Sequence, residues 1–434
     1  MAGGTWKMQD KVRPGAYINV KSKGANLNVA SVSGVTTIPL AIDFGPEGKV
    51  IEVTINSDLT MFGYDLTDKP MLLVQEALKR ASKVLVYRVG TGGKATQTEG
   101  SLSVTAKYGG ERGNAISLVS KEVVDDEGKF VVQTFLDSKL IDTQTVQNIE
   151  EMQENAVVTF SGTGKMTAFS IKLAGGSNTE AQANDYKAYF SAIQLFDFNT
   201  MALPVSDASI KTAATSFIVR MRNDEGKKCQ LVLANHTVDD EAVINVKNGV
   251  VLSDGTMLSA EQATAWVAGA SAAAGVNQSL TYSAYDGAID VSQRYLNSEI
   301  EKALLNGEFV FTEKRGQAIV EQDINSLHSF SVDKDKSFSK NRVLRVLDDI
   351  ANNTKKAFED YFIGKVDNNL DGRELFKSNR INYFNQLQGL GAIQNFAAED
   401  VTVEQGLEKD SIVMNCAIQP VDAMEKLYMT VQVQ

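Results

Sequence analysis

The last ten residues, Glu425-Lys-Leu427-Tyr-Met429-Thr-Val431-Gln-Val433-Gln434, alternate apolar and mostly polar side chains to the end of the chain. A period of two predicts a half-buried strand, and a strand at a chain's own end leaves an edge of backbone N–H and C=O groups in want of partners. The other end repeats the pattern. Pro14 and Gly15 introduce Ala16-Tyr-Ile18-Asn-Val20-Lys21, and Lys21-Ser-Lys-Gly24 lets the chain turn away. Two readings of these arms are open: they fold back onto their own domain, or they add to a sheet in a neighbouring subunit.

At 434 residues with 43% hydrophobic content, the chain has ample core for two to four domains. Lys and Arg total 43 against 54 Asp and Glu, a net charge of −11, so no global attraction to nucleic acid or anionic membrane is expected. Cys229 and Cys416 lie far apart in strand-like runs, which suits buried reduced thiols better than a disulfide framework and fits cytoplasmic synthesis. The N-terminus lacks a signal-peptide layout, and Ala263 to Val276 is too short to span a bilayer.

Along the chain, the first ninety or so residues read as strand, helix and strand. Strand-like pieces at 34–40 and 49–55 precede a helix from Lys69 to Arg80 with Pro70 at its start, and then the strand Lys83–Val89. From Ala95 to Gly176 the texture becomes strands divided by turns (102–106, 115–119, 130–135, 157–160). This β domain is bracketed by Gly92-Gly93 and Gly175-Gly176, as an insertion would be. Residues 179–327 alternate helix (181–195, 208–221, 260–274, 291–305) with strand (196–203, 230–234, 309–311), the pattern of a layered α/β sheet. The last hundred residues begin with a long helix from Asn341 to Ile363, then a helix from Ser378 to Gln388 and strands near 401–403, 412–418 and the terminal run, a compact α+β unit.

Few motifs carry chemistry. Asp367-Asn-Asn369-Leu-Asp371-Gly372 matches the first six positions of a calcium loop, but Ser378 stands where a bidentate Glu is needed; an Asx-rich turn between helices is the other reading. Gly90-Thr-Gly-Gly-Lys94 follows a strand but fits neither phosphate-binding spacing, and a hinge is expected. His236 follows Leu231-Val-Leu-Ala-Asn235 at a strand end, either as a loop histidine or as the base of an α/β hydrolase, although no nucleophile motif accompanies it. A monomeric surface-binding module using the β domain is a third reading. Lys334, Lys336, Lys340, Arg342 and Arg345 form a basic cluster on an acidic protein, read as a solvated face or as a docking surface for an acidic partner.

Several stretches together resemble the sheath protein of contractile phage tails, of the type found in phages and phage-tail-like bacteriocins of Gram-positive bacteria. They are Trp6 through Tyr17, Ala106-Lys-Tyr-Gly-Gly-Glu-Arg-Gly-Asn114, Leu173-Ala-Gly-Gly176, Ala265 to Tyr282, Asp323-Ile-Asn-Ser-Leu327, Phe362-Ile-Gly-Lys365, Asn368 to Arg373 and Ile418 to Met429. The resemblance implies a multidomain α/β and α+β protein. An N-terminal linking arm (1–22) precedes a subtilisin-like α/β core built from 23–94 and 178–330, with a β-sandwich (95–177) inserted and a tube-facing C-terminal domain (331–434). It places the Asn368–Arg373 turn in the family pattern and settles the arms in favour of exchange, with Ala16, Tyr17, Ile18, Val20, Leu427, Met429, Val431 and Val433 as subunit-linking residues. It further implies a helical stack of hexameric rings around an inner tail tube protein, bounded by baseplate and tail terminator proteins and assembled in the bacterial cytoplasm. No cofactor, catalysis, nucleic acid or membrane insertion is expected, and the basic cluster is assigned to the tube-facing side.

Overall fold

The computed structural model describes residues 2–4, 15–17 and 34–433. They divide into two compact units, one of Val32–Asp348 with Asp422–Gln434, the other of Asp349–Val421 with the N-terminal strand pair.

The larger unit is built on a seven-stranded sheet. Its order is Glu308–Phe309, Val243–Val246, Gln230–Ala234, Thr200–Ala202, Val35–Ala41, Lys83–Val89 and Val50–Val53, all parallel except the last. Runs such as Gln-Leu-Val-Leu-Ala are buried at every position, as strands covered on both faces must be. Pro39 stands inside a central strand, where a missing N–H is normally excluded. The neighbour Thr200–Ala202 pairs only with Thr36 and Thr37, so it demands no donor from Pro39. Helices Leu72–Leu78 and Ala260–Ala273 cover one face, packing on Ile38, Val84, Val86 and Val232; Ala183–Ile193 and Ala208–Asn223 cover the other, packing on Leu85, Tyr87, Leu231 and Leu233. Side-chain caps start two of these helices: Asp207 Oδ1 accepts the N–H groups of Ser209 (2.8 Å) and Ile210 (2.9 Å), and Ser259 Oγ accepts that of Gln262 (3.2 Å).

The inserted β domain is a sandwich of a four-stranded sheet, with Ile116–Glu122 and Phe130–Leu136 at its centre, and a three-stranded sheet centred on Leu102–Ala106. Val104, Ile116, Leu118 and Val158 are fully buried between them. The chain enters and leaves side by side, because Thr91–Gly93 pairs antiparallel with Ser177–Thr179. At the expected hinge, Gly90–Lys94, the chain turns at Gly90, with φ 84°, and Thr91–Gly93 then pairs with the returning chain. A Cβ on Gly92 would lie 2.1 Å from Ser177 O, and one on Gly110, at φ 131°, would lie 1.6 Å from Asp43 O.

In the second unit the helix Leu370–Gly389 starts eight residues before the expected Ser378. Asn369 Oδ1 accepts the Gly372 N–H at 2.8 Å, which makes the Asx-rich motif a helix cap rather than the start of a loop. Among the described residues no His, Cys, Asp and Glu group could hold a metal ion. A hairpin pairs Val401–Gln405 with Ile412–Cys416. Cys416, expected to be buried, is exposed there, whereas Cys229 is buried and its thiol is pushed up to about 12 by that burial. Gly15–Tyr17 pairs in parallel with Ala2–Gly4 of the same chain, which places Ala16 and Tyr17 in a strand; Ile18 and Val20 lie outside the described residues. No helix among the described residues is long and apolar enough to cross a membrane.

Candidate assembly site at the root of the C-terminal arm

Two segments distant from it in sequence, 278–281 and 341–345, converge on Asp323 in the larger unit. Asp323 is 1% exposed; its Oδ1 accepts from Asn341 Nδ2 (2.8 Å), and its Oδ2 from the Leu280 N–H (3.0 Å) and Arg345 Nη2 (3.2 Å). Arg345 also donates to Gln278 O at 2.7 Å, and the Asp323 N–H donates to Thr281 Oγ1 at 2.9 Å. A buried carboxylate is tolerated here because each oxygen is satisfied and a guanidinium balances the charge.

The Thr281 hydroxyl passes the network on to Glu425, donating to Oε1 at 2.8 Å, while Gln322 Nε2 donates to Oε2 at 2.6 Å and Lys340 closes an ion pair with the same oxygen. Burial alone would raise the Glu425 pKa; the bonds from Lys340, Gln322 and Thr281 outweigh it and hold the carboxyl below its ordinary value. Beyond this clamp the chain's side chains stand in solvent. Leu427 is 83% exposed, Tyr428 88%, Met429 73%, Val431 73% and Val433 95%.

The strand expected over 425–434 is absent, since 421–433 carry no strand. The physical reason is that a strand exists only through a partner's backbone, and none of the described strands pairs with this segment. What remains is an apolar run anchored at one end and open to solvent, more than a lone soluble chain leaves exposed without purpose.

The basic cluster is largely engaged inside the unit. Lys334 pairs with Glu241 at 2.6 Å, Lys340 with Glu425, and Arg345 with Asp323. Lys336 is exposed, and Arg342 is half-buried with its Nε unpartnered among the described residues.

The chain matches four family descriptions in succession: the tail sheath Gp18 domain III N-terminal region (33–89), the phage tail sheath β-sandwich domain (90–178), central domain (179–326) and C-terminal domain (333–434). It is 47% identical to a sheath tail protein of Desulfitobacterium hafniense, over 96% of this chain and 100% of that one, with a TM-score of 0.85. A sheath tail protein of Listeria innocua is 38% identical over 93% of this chain and 96% of that one, with a TM-score of 0.83. The XkdK protein of the phage-like element PBSX of Bacillus subtilis is 36% identical over the full length of both chains. The chain belongs to the phage tail sheath family. It is a structural subunit of a contractile tail sheath, a component of a virion tail or tail-like particle.

Within this sheath subunit the two histidines lie in separate hydrogen-bonded settings. The His236 N–H donates to Asn245 Oδ1 at 3.2 Å, and its Nε2 lies 3.4 Å from Thr212 Oγ1, whose own proton goes to Ala208 O at 2.9 Å. Burial and the nearby Lys211 ammonium lower the imidazole pKa. His328 Nδ1 lies 2.9 Å from Ser326 O and 3.4 Å from Asp239 Oδ1. Replacing His236 with Ala is expected to leave the melting midpoint within about 2 °C of wild type and sheath formation unchanged; loss of assembly in light scattering would show a role that this geometry lacks.

Sequence reading missed Glu425, Gln322, Thr281 and Asp323. The Glu425 partners lie 144, 103 and 85 positions away, so no local pattern joins them. The one signal present was that the stretches carrying the family resemblance, 277–282, 323–327 and 418–429, are those that meet here.

Proposed function

We infer that the sheath subunit polymerises by donating residues 426–433 as a strand to a neighbouring copy, with Leu427, Met429, Val431 and Val433 as linking side chains and the Glu425 clamp holding the arm's root. The observation that carries this reading is the exposed alternating run beyond a half-buried, fully bonded carboxylate. The N-terminal arm, through Ala16, Tyr17, Ile18 and Val20, is the second link. In this account hexameric rings stack helically around an inner tail tube protein between baseplate and terminator proteins, after assembly in the bacterial cytoplasm. The α/β unit is a subtilisin-like scaffold without its chemistry, and the family's structural role supports a protein that is not an enzyme. Backbone bonds of an added strand persist while the chain beside them bends, so subunits rotate and slide without separating. The contracted lattice lies lower in free energy than the extended one set at assembly, and that difference drives the tube through a cell envelope. Lys336 and Arg342 are the members of the basic cluster best placed to meet an acidic tube, since Lys334, Lys340 and Arg345 already have carboxylate partners.

The clamp gives the test. Glu425→Gln keeps the side chain's shape and loses the charge, forfeiting a charge-assisted contact of about 1.5–3 kcal/mol. The expected result is faster proteolysis at the arm root and a critical concentration for sheath assembly raised about tenfold or more. Unchanged assembly and proteolysis would remove the clamp from the account. Because the Glu425 carboxyl sits below its ordinary value in the fold, its contribution is present above the usual carboxylate pKa of about 4.3 and is lost only as pH falls through the lower folded value. The arm root is therefore expected to stay protected from protease from neutral pH down through mild acid, and to be released only in stronger acid.

A further inference from the structure

Five non-glycine residues among those described have a positive φ: Asp137, Asn235, Tyr282, Arg315 and Asn395. Asp and Asn tolerate the left-handed region, and Arg315 sits with Gly316 in the tight turn between Phe311–Lys314 and Gln317–Val320, where such angles are required. Tyr282, at φ 62°, has neither justification.

The backbone needs the turn. The Tyr282 N–H donates to Val320 O at 2.8 Å and the Tyr285 N–H to Ala318 O at 2.9 Å, which sets Tyr285 in the core, stacked on Trp266 with ring centroids 4.4 Å apart. Glycine would make this turn without the steric cost. The residue is 59% exposed, so burial does not explain why the position is tyrosine. Within its own chain Tyr282 meets the Lys314 ammonium, which lies 3.8 Å from the ring centroid, donates to the phenol oxygen and is itself 3.5 Å from Glu321. An exposed cation–π contact and an exposed hydrogen bond to the same ammonium are together of the same order as the strain and leave no clear surplus.

Position supplies the missing reason. Tyr282 directly follows Thr281, whose hydroxyl holds the Glu425 carboxylate at the arm root. A bulky aromatic held out to solvent on a strained backbone, with one face stiffened by a cation, has the chemistry of an interface anchor. We propose that Tyr282 is a docking knob whose free face buries against a second copy of this chain, beside the point where the arm leaves its own subunit. This rests on the sheath reading above.

The substitution Tyr282→Gly separates strain from docking. In the full-length subunit it is expected to leave the melting midpoint unchanged or raised, because glycine adopts this φ freely, and to raise the critical concentration for sheath assembly about tenfold. A photo-crosslinking benzophenone side chain at position 282 is expected to join two copies in assembled sheaths. A melting midpoint lowered by Tyr282→Gly, assembly within about twofold of wild type, or benzophenone adducts confined to the same copy would each overturn the proposal. A second photo-crosslinker at position 429 reads the arm separately. Crosslinks between copies from 429 but not from 282 would refute the knob and leave arm exchange standing; the reverse pattern would refute arm exchange alone.

Discussion

Removing residues 426–434 is expected to abolish sheath polymerisation and to leave a folded subunit. The exposed side chains from Leu427 to Val433 contribute almost nothing to their own fold, so the melting midpoint is expected to move by no more than about 2 °C. Assembly is another matter. Fully burying Leu427, Met429, Val431 and Val433 on a neighbour would contribute about 1.5–3 kcal/mol each, and ordering the segment costs about 1–2 kcal/mol per residue. The two sums are comparable, so apolar burial alone does not dock the arm. The added hydrogen bonds of a strand ladder decide the outcome, and they are available only on a matched sheet edge. Truncation removes both contributions at every subunit contact in the lattice. Electron microscopy of the truncated subunit should show dispersed particles where the intact chain gives cylinders; cylinders from the truncated chain would remove the C-terminal arm as the link.

The largest effect on folding is expected at Asp348. Its carboxylate takes two bonds from Arg222, 2.7 Å to Oδ2 and 2.8 Å to Oδ1, with the side chains only 6% and 15% exposed for Arg222 and Asp348. This fork joins the helix Ala208–Asn223 to the first turns of Asn341–Tyr361. Asp348→Ala leaves a buried guanidinium with only the Cys229 carbonyl, at 2.9 Å, to satisfy it. The expected loss is about 3–5 kcal/mol, enough to bring many domains close to unfolding at 37 °C. The double replacement Arg222→Met with Asp348→Leu removes the uncompensated charge as well and is expected to recover most of that loss. Chemical denaturation of the three chains checks this: a double variant as unstable as the single one would show that packing, not the stranded charge, sets the cost.

Much of the larger unit was legible because its central strands are buried on both faces. The limits of Lys83–Val89, Leu102–Ala106 and Gln230–Ala234 are those expected, since apolar runs bounded by turn residues leave little freedom. The helix expected over 291–305 begins only at Asn297, and Ala288–Val291 is instead a strand pairing with Val250–Leu252, a partner invisible to local pattern. Lys139–Val146 was missed because an edge strand with lysine, aspartate and glutamine along it lacks the apolar run of a central one. Val243–Val246 was missed because it is short and carries Asn245, whose side chain serves the backbone of His236.

The site was legible in part. The alternation from Leu427 to Val433 is visible in the sequence; that Lys340 and Arg345 are held by carboxylates of their own unit is not. A run of cations reads the same whether it faces solvent, a partner or a buried acid.

A reconstruction of the assembled sheath that resolves main-chain hydrogen bonds tests the account most directly. The account predicts that residues 426–433 of each copy form a strand paired with a sheet edge of another copy, with Glu425 still clamped by Thr281, Gln322 and Lys340 of its own. A sheath in which that segment pairs only within its own copy, or remains unpaired, would contradict it.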